Sequence, residues 1–325
     1  MKIIVDDKIP FIRGQVEQLA DEVVYKPGAA IGPADLRDTD AMIIRTRTHC
    51  NRELLEGSHV RLIVTATIGY DHIDTRCLKE AGITWTNCPG CNATSVAQYV
   101  RNSLLEAERK GLISLSEATL GIVGYGHVGK AVHEAMRPYM AEIVLCDPFL
   151  GLHNDVRHCD VITLHTPLTT DGPYPTHHLV DQCFLLSTDK HPIIINAARG
   201  GVVDEAALEQ ALDSGLIRQA IIDTWEGEPN ISPSLLQKAF IATPHIAGYS
   251  ADGKANATRM SLEAVAQWEQ KAGLRSGKTT FDIQPPEADI ERTGLHYNPT
   301  SDSEALKRHP EQFEKLRGDY PLRRE

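Results

Sequence analysis

Three polar residues of different chemical types each lie shortly after an apolar run. They are Arg199 in IIINAARGG, Glu228 in AIIDTWEGEP and His245 in FIATPHIAGY. Apolar runs of this length are typical of buried parallel strands. Ligands of an open α/β sheet bind beyond the carboxyl ends of the strands, so we expect these side chains to surround one ligand.

A glycine-rich segment upstream has the features of a dinucleotide-binding turn. It follows the apolar run TLGIV and precedes a stretch with helical spacing. Gly124 permits a sharp turn, Gly126 lets a pyrophosphate approach the backbone, and Gly129 lets helix and strand pack closely. The helix N-terminus offers N–H groups and a partial positive charge to the phosphates. The whole segment comprises Gly124, Tyr125, Gly126, His127, Val128 and Gly129.

An acidic residue after the next apolar run indicates which dinucleotide binds. Asp147 ends EIVLCD and is followed by Pro148 and Phe149, not by Arg or Lys. A carboxylate there accepts hydrogen bonds from the adenosine ribose and repels a 2′-phosphate, which favours NAD over NADP. A plain loop role for Thr166 and a structural cap role for Asp223 are open alternatives to cofactor contact. The residues expected to complete the cofactor site are Thr166, Ala197, Ala198 and Asp223.

The three polar residue types suit the oxidation of a 2-hydroxy acid. Arg199 can hold a carboxylate through two parallel hydrogen bonds. His245 can take the hydroxyl proton near neutral pH, and Glu228 can orient the imidazole and favour its charged form. Each residue alone also fits a structural role, namely a surface ion pair, a buried histidine or a loop acid. Their occurrence together after a dinucleotide turn indicates a nicotinamide-dependent dehydrogenase.

The order of apolar runs predicts an α/β protein with two Rossmann-like domains. Strand and helix patterns alternate over the first ninety residues, where we expect a helix near residues 11–20 and another capped by Asn51. The alternation restarts near Ala118 with six further apolar runs that predict strands. Long helical stretches at 94–110 and 250–273 are expected to connect the two regions. We therefore predict a flavodoxin-like substrate domain of residues 1–93 and 249–273. A doubly wound NAD domain of residues 94–248 is inserted in it.

Residues 274–325 form a polar C-terminal tail in which strand patterns are lost. The tail is either disordered or docked, and it is a possible truncated dimerisation region. Its scattered apolar residues favour docking. These are Leu306, Phe313, Leu316 and Tyr320.

Composition narrows the class of protein. A formal net charge of −11 argues against nucleic acid or a membrane surface as a partner. The N-terminal apolar run is too short for a signal peptide. Seven scattered cysteines suit a reducing compartment, so we expect a cytoplasmic protein.

No metal site is expected from the sequence. Cys88 and Cys91 form a CxxC spacing, but a second such pair that would complete a zinc site is missing. We interpret this segment as a tight Pro-Gly turn before a helix. His177 and His178 are interpreted as a surface pair without a ligand partner.

Three segments, NAARGGVVDE, DTWEGEP and PHIAGYS, resemble the catalytic signatures of the D-isomer-specific 2-hydroxyacid dehydrogenase family, in the same order. The resemblance covers roughly residues 1–272. It implies that Arg199, Glu228 and His245 are the catalytic residues and that NAD is the cofactor. It also implies a homodimer, although members of the family usually carry a longer C-terminal dimerisation domain.

Further segments resemble one branch of that family: TATIGYDHID, CPGCNATSVAQYV, HTPLTTDGPYPTHHL and PHIAGYSADGKANAT. This resemblance implies oxidation of 4-phospho-D-erythronate to its 2-oxo acid, a step in vitamin B6 (pyridoxal phosphate) biosynthesis. It implies substrate contacts at Thr46, Thr67 and Tyr249. It implies NAD contacts at Asp147, Thr166, Asp223 and Gly248.

The phosphate of such a substrate needs a cationic receptor. Arg45 and Arg47 in IIRTRTH are the best local candidates, because alternate residues of an extended segment share a side. Thr46 and Thr48 offer hydroxyl donors to the same group. A solvated ion-pair role for the two arginines stays open, and Arg317 of the tail is an alternative receptor.

Two other functions are compatible with these residues. One is a related dehydrogenase that acts on phosphoglycerate or another hydroxy acid. The other is an NAD(H)-sensing binding protein that keeps the fold without turnover. The intact Arg, Glu and His argue against the sensor.

Overall fold

Two parallel sheets, each in its own part of the chain, organise the computed structural model. The structure describes residues 1–274, 276–277, 279–285 and 297–325. Contacts divide the chain into two compact units. Unit 1 comprises Met1–Asn92 and Ala251–Glu287, and unit 2 comprises Ala93–Ser250 and Ala288–Glu325.

Strands and helices alternate along both units. The strands are β1 (Lys2–Asp6), β2 (Glu22–Lys26), β3 (Ala41–Ile44), β4 (Leu62–Thr65), β5 (Thr84–Thr86), β6 (Thr119–Val123), β7 (Glu142–Asp147), β8 (Leu152–His153), β9 (Val161–Leu164), β10 (Ile193–Asn196), β11 (Gln219–Ile222) and β12 (Ile241–Ala242). The helices are α1 (Arg52–Leu55), α2 (Thr75–Glu80), α3 (Ala93–Arg109), α4 (His127–Met136), α5 (Gln182–Leu186), α6 (Glu205–Asp213), α7 (Pro233–Lys238), α8 (Ala251–Lys271), α9 (Pro299–Arg308) and α10 (Phe313–Gly318). Within the described residues, no helix combines the length and apolar character needed to span a membrane.

The sheet of unit 1 has the parallel order β2-β1-β3-β4-β5. This is the flavodoxin-like order, and it confirms the predicted fold class. Successive residues of a strand point to opposite faces. Ile3 accordingly shares a core cluster with Leu262 of α8, whereas Ile4 shares another with Leu54 of α1 and Leu78 of α2. Burial on both faces explains the unbroken apolar runs of the sequence.

A helix expected near residues 11–20 is wrong. Only one turn of 3-10 helix forms there, at Val16–Gln18. Phe11 and Gly14 adopt positive φ angles of 60° and 80°, and such left-handed residues interrupt a right-handed helix. By contrast, the expected cap of α1 is present, because Asn51 Oδ1 accepts the Leu54 N–H at 3.0 Å.

Unit 2 contains a doubly wound sheet with the order β12-β11-β10-β9-β6-β7-β8. All its neighbouring strands are parallel except the short β8, which runs antiparallel to β7. The sequence predicts six of these strands and misses β8. The strand order reverses around β6, where such folds bind dinucleotides. Because β10, β11 and β12 are parallel neighbours, the residues that follow them emerge at one edge.

The described C-terminal segment, residues 297–325, is docked on unit 2. Leu306 of α9 and Phe313 of α10 are buried in one core cluster with Leu235 and Leu236 of α7. Leu316 packs at the margin of that cluster. The apolar residues of the tail therefore act as anchors within the chain itself.

We expect Leu306→Ala to lower the free energy of unfolding by about 2–5 kcal/mol, because it leaves a cavity in a packed core. Urea denaturation measures the loss. The matched control is Leu186→Ala, since Leu186 is 65% exposed and its truncation should change stability little. Equal stability of the two variants would show that the tail is not docked.

Candidate active site

His245 and Glu228 form a hydrogen-bonded pair at the ends of β12 and β11. His245 Nδ1 donates to Glu228 Oε2 at 2.9 Å. The other carboxylate oxygen, Glu228 Oε1, accepts the Trp225 N–H at 2.8 Å. A neutral imidazole that donates from Nδ1 has its Nε2 as a proton acceptor. The pair can therefore accept a proton from a ligand and stabilise the imidazolium that forms.

Several opposing effects set the charge of Glu228. Burial raises the pKa of this carboxyl group, but the hydrogen bond and charge of His245 lower it. The Trp225 N–H and the nearby Arg317 guanidinium lower the pKa of Glu228 further. The net pKa lies below the ordinary range, so Glu228 carries a full negative charge at neutral pH.

Arg199 lies in the loop after β10, next to the loop that carries Glu228. Its Nη1 donates to the Ala198 carbonyl at 2.8 Å. The following residue, Gly200, packs so closely that an added Cβ would lie 1.9 Å from the Trp225 carbonyl oxygen. The two loops therefore touch at a point that only glycine permits. The structure thus joins Glu228 and His245 directly and places Arg199 in the adjoining loop.

The loop that carries His245 is held by a buried anion. Asp223 is 1% exposed. Its Oδ1 accepts the Thr243 hydroxyl at 2.7 Å and the Ile246 N–H at 2.8 Å, and its Oδ2 accepts the Ala247 N–H at 3.0 Å. Burial raises the pKa of Asp223, although the charge of His245 and these hydrogen bonds oppose the rise. These contacts match the structural cap role, and a contact with nicotinamide stays a prediction.

The same loop is held from its carbonyl side by Arg323, which sequence reasoning missed. This side chain is 1% exposed. Its Nη2 donates to the Ala247 carbonyl at 2.6 Å, and its Nη1 donates to the Tyr249 carbonyl at 2.9 Å. Its Nε donates to Gln98 Oε1 at 2.6 Å. An Arg in a charged C-terminal segment gives no local signal of burial, so only the tertiary structure reveals this role.

A second arginine of the tail lies beside the hydrogen-bonded pair of His245 and Glu228. Arg317 Nη1 is 3.7 Å from Glu228 Oε2, the oxygen that His245 also contacts. Burial lowers the pKa of the Arg317 guanidinium, whereas the nearby Tyr249 and Glu228 side chains raise it. The predicted substrate residue Tyr249 thus lies next to a cation of the tail.

The glycine turn has the geometry expected for a dinucleotide. Gly124 has a φ of 87°, and an added Cβ would lie 2.7 Å from the His165 carbonyl oxygen. A Cβ on Gly129 would lie 2.0 Å from the Gly124 carbonyl oxygen, so both positions require glycine. Gly126 is the N-cap of α4, and a Cβ there would meet open space. His127, the first residue of α4, is exposed, whereas Val128 is half-buried.

Two observations test whether the residues around this turn fit NAD. Thr166 Oγ1 is buried and has no hydrogen-bond partner within the described part of the chain. Its methyl carbon lies 3.1 Å from the Cβ position of Gly124, so an unsatisfied hydroxyl borders the turn. Asp147 ends β7 and accepts the Tyr125 N–H at 2.8 Å, which fixes its carboxylate beside the turn. Ala197 and Ala198 directly follow β10, and Gly248 is half-buried after β12. These residues fit a dinucleotide.

The other predicted substrate residues lie at one edge of the unit 1 sheet. Thr46 is exposed after β3. Thr67 follows the neighbouring β4 and donates to the Gly69 carbonyl at 2.8 Å. Thr48 is buried and donates to the Gly28 carbonyl at 3.0 Å, so the expectation that its hydroxyl is available is wrong.

Arg45 and Arg47 do not lie on the extended segment that was expected to place them on one side. The Thr48 N–H bonds to the Arg45 carbonyl at 3.1 Å, which closes a turn where extended backbone was assumed. Arg45 Nη1 donates to the Lys8 carbonyl at 3.1 Å. Arg47 is exposed. The role of these two arginines as phosphate receptors stays a prediction. It no longer has the support of a shared side on an extended segment.

The cysteine and histidine pairs have structural explanations. Cys88 is a free, buried thiol whose Sγ contacts the Ala257 carbonyl at 3.3 Å, and burial raises its pKa to about 11. His178 does have a carboxylate neighbour, because its Nε2 lies 2.6 Å from Glu226 Oε1. The His178 N–H also donates to the Gly201 carbonyl at 2.7 Å. His178 therefore ties the segment after β9 to the loops of Arg199 and Glu228, and the expectation that the histidine pair holds no metal stays a prediction.

A buried acid adjoins this connection. Glu205 Oε1 accepts the Glu226 N–H at 2.7 Å. Burial raises the pKa of Glu205 to about 7, despite that hydrogen bond, and the charges of Glu226 and Glu228 add to the rise. Glu205 is thus a further titrating group close to the loop of Glu228.

Comparisons with known proteins identify the family. Residues 92–247 match the family model described as D-isomer specific 2-hydroxyacid dehydrogenase, NAD binding domain. The chain is 49% identical to an erythronate-4-phosphate dehydrogenase of Bacteroides fragilis, over 100% of this chain and 97% of that protein. It is 40% identical to the enzyme of the same name from Escherichia coli, over 100% of this chain and 92% of that protein.

Solved structures give the same fold. The NAD⁺-bound 3-phosphoglycerate dehydrogenase of Entamoeba histolytica has a TM-score of 0.72 at 26% identity, covering 87% of this chain and 99% of that one. A D-lactate dehydrogenase of Aquifex aeolicus, 22% identical over 88% of this chain and 100% of that one, has a TM-score of 0.67 and supports the fold alone. The chain belongs to the D-isomer-specific 2-hydroxyacid dehydrogenase family. The expectations of this family, of the Rossmann-like fold and of NAD as cofactor are confirmed.

We expect Asp147→Asn to reduce the preference for NAD over NADP by about 10-fold in kcat/KM. The amide oxygen can still accept the Tyr125 N–H, but the charge that repels a 2′-phosphate is lost. Steady-state assays with both dinucleotides measure the ratio. Asp155→Asn is the control, because Asp155 is a nearby acid paired with Arg157. An unchanged ratio in Asp147→Asn would remove this residue from cofactor selection.

Proposed function

We propose that this protein oxidises 4-phospho-D-erythronate at C2 to the corresponding 2-oxo acid, with NAD as cofactor. Whole-length identity of 40–49% to erythronate-4-phosphate dehydrogenases supports this substrate. The observation that carries the chemistry is the 2.9 Å hydrogen bond between His245 and Glu228, with Arg199 in the adjoining loop. This arrangement supplies a base, its orienting anion and a carboxylate receptor.

Each of the three residues has a separate task in this reaction. Arg199 binds the C1 carboxylate and presents C2 for reaction. His245 Nε2 takes the proton of the C2 hydroxyl, and the C2–H bond breaks with its electron pair leaving as hydride while the C2=O bond forms. Glu228 holds the imidazole through Nδ1 and stabilises the imidazolium. NAD, when bound, supplies the hydride acceptor.

The cofactor and substrate contacts extend the proposal to residues around this centre. Gly124–Gly129 and the start of α4 would hold the pyrophosphate, and Asp147 the adenosine ribose. We assign Thr166, Ala197, Ala198, Asp223 and Gly248 to the rest of the cofactor site. Substrate contacts are assigned to Thr46, Thr67 and Tyr249, with Arg45 and Arg47 as sequence-based candidates for the phosphate.

The proposal places the protein in vitamin B6 biosynthesis as a cytoplasmic homodimer. Seven free cysteines suit a reducing compartment. The homodimer follows from the family resemblance, and light scattering of the purified protein tests it. A mass equal to one chain would remove this part of the proposal.

A steady-state assay with several hydroxy acids tests the substrate. We expect NADH formation to be fastest, in kcat/KM, with 4-phospho-D-erythronate. A preference for 3-phosphoglycerate would favour a second candidate function, that of a phosphoglycerate dehydrogenase. The similarity to a 3-phosphoglycerate dehydrogenase structure supports that candidate. Tight NADH binding without turnover of any acid would instead indicate a dinucleotide sensor.

Glu228→Gln should move the acid limb of the pH profile for oxidation to lower pH. Glu228 is ionised in this range because its pKa is lowered, and its charge stabilises the protonated, inactive imidazole. Gln removes that charge, so the active neutral form persists to lower pH. The measurement is kcat/KM against pH for the wild type and the variant.

Glu226→Gln serves as the control for this profile. It removes a charge from the same loop, but its carboxylate contacts His178 and not His245. Its acid limb should stay close to that of the wild type. An acid limb that is unmoved in Glu228→Gln would remove Glu228 from the orienting role.

A further inference from the structure

Helix α10 places a cation at the catalytic pair. Phe313 begins this helix and is 1% exposed in the core of unit 2. Arg317 is four residues later, so both side chains lie on the same face of the helix. The buried Phe313 therefore directs Arg317 towards unit 2, where its Nη1 lies 3.7 Å from Glu228 Oε2.

The contacts of Arg317 do not use all of its hydrogen-bond donors, whereas a purely structural role would use them. At 3.7 Å the contact with Glu228 is an electrostatic one and too long for a hydrogen bond. The Tyr249 side chain also interacts electrostatically with this guanidinium. A guanidinium has five N–H donors in a planar fork, more than these partners use, and its side chain remains 24% exposed. Donors of Arg317 are thus available to an incoming anion.

Hydrogen-bonding capacity, and not the net local charge, favours an anion beside this group, because Glu228 and Glu314 already act on the Arg317 guanidinium. Glu228 already satisfies His245 through the oxygen that faces Arg317. A phosphate dianion brings several acceptor oxygens, and a guanidinium binds them through two parallel hydrogen bonds. The phosphorylated carbon of the substrate lies two carbons from the C2 that meets His245. Arg317 is separated from the His245 imidazole only by the Glu228 carboxylate. It is therefore close enough to bind the phosphate when C2 lies at His245.

We propose that Arg317 binds the phosphate of the substrate and thereby selects phosphorylated 2-hydroxy acids over unphosphorylated ones. This inference rests on the proposed function and names the specificity residue for it. Tyr249, which interacts electrostatically with Arg317, contacts the same anion. The C-terminal segment thus contributes a substrate-binding residue to the active site.

The test compares Arg317→Gln with the wild type on 4-phospho-D-erythronate and on D-erythronate. We expect kcat/KM for the phosphorylated acid to fall about 10- to 100-fold, mainly through KM, because hydrogen bonds to a charged group are lost. The value for D-erythronate should change less than about threefold. Inorganic phosphate should inhibit the wild type competitively and the variant more weakly.

Two further variants support the comparison. Lys315→Gln removes an exposed charge from the same helix and should retain the preference for the phosphorylated acid. Arg317→Lys keeps the charge without the planar fork and should show an intermediate loss. If Arg317→Gln does not fold, as judged by thermal unfolding and NADH binding, Arg317→Lys carries the test.

Other outcomes overturn the inference. Equal losses on both acids, with a shifted acid limb of the pH profile, would show that Arg317 only positions or tunes Glu228. A wild type that oxidises D-erythronate as well as its phosphate ester would also refute selection by this residue. Failure of the proposed function gives a different result. A wild type that prefers 3-phosphoglycerate refutes the proposed substrate. The role of Arg317 is then tested by comparing kcat/KM for 3-phosphoglycerate and for D-glycerate in the wild type and in Arg317→Gln.

Discussion

Two buried charged side chains, Asp223 and Arg323, hold the loop that follows β12 through hydrogen bonds to its backbone. The candidate active site depends on these hydrogen bonds. Asp223 accepts the N–H groups of Ile246 and Ala247, while Arg323 donates to the carbonyls of Ala247 and Tyr249. His245 has a φ of 56°, a left-handed conformation that costs free energy for a residue other than glycine. The contacts of the two charged groups offset this cost. They hold the imidazole where its Nδ1 meets Glu228.

The same edge of the sheet explains why distant parts of the sequence meet. Parallel neighbours β10, β11 and β12 all end on one side, so the loops that follow them adjoin. Gly200 allows the Arg199 loop to touch the Trp225 backbone, and Trp225 in turn donates to Glu228. His178 adds the segment after β9 to the same set of loops. The geometry of the site is therefore a property of the sheet edge and is not confined to one loop.

The sequence predicts the parts of this arrangement that have local patterns. Apolar runs mark the strands, glycines mark the dinucleotide turn, and polar residues after strands mark Arg199, Glu228 and His245. Long-range contacts have no such pattern. Arg323 donates a hydrogen bond to Gln98, which is more than two hundred residues away in the sequence, and no local sequence pattern at either residue predicts this contact. The turn at Arg45 and the broken helix at Phe11 were missed for a related reason, since local hydrogen bonds and positive φ angles override simple periodicity.

The C-terminal segment connects the core of unit 2 with the candidate active site. Leu306 and Phe313 dock it on the core of unit 2, Arg323 orders the loop of His245, and Arg317 stands beside Glu228. An anion can bind Arg317 at this position only when the C-terminal segment is docked. Binding of the anion therefore stabilises the docked state, and docking raises the affinity for the anion by the same free energy. Docking also fixes His245, because Arg323 belongs to the same segment. If Arg317 binds the phosphate as proposed, the affinity for the substrate and the position of His245 both depend on the docking of this one segment.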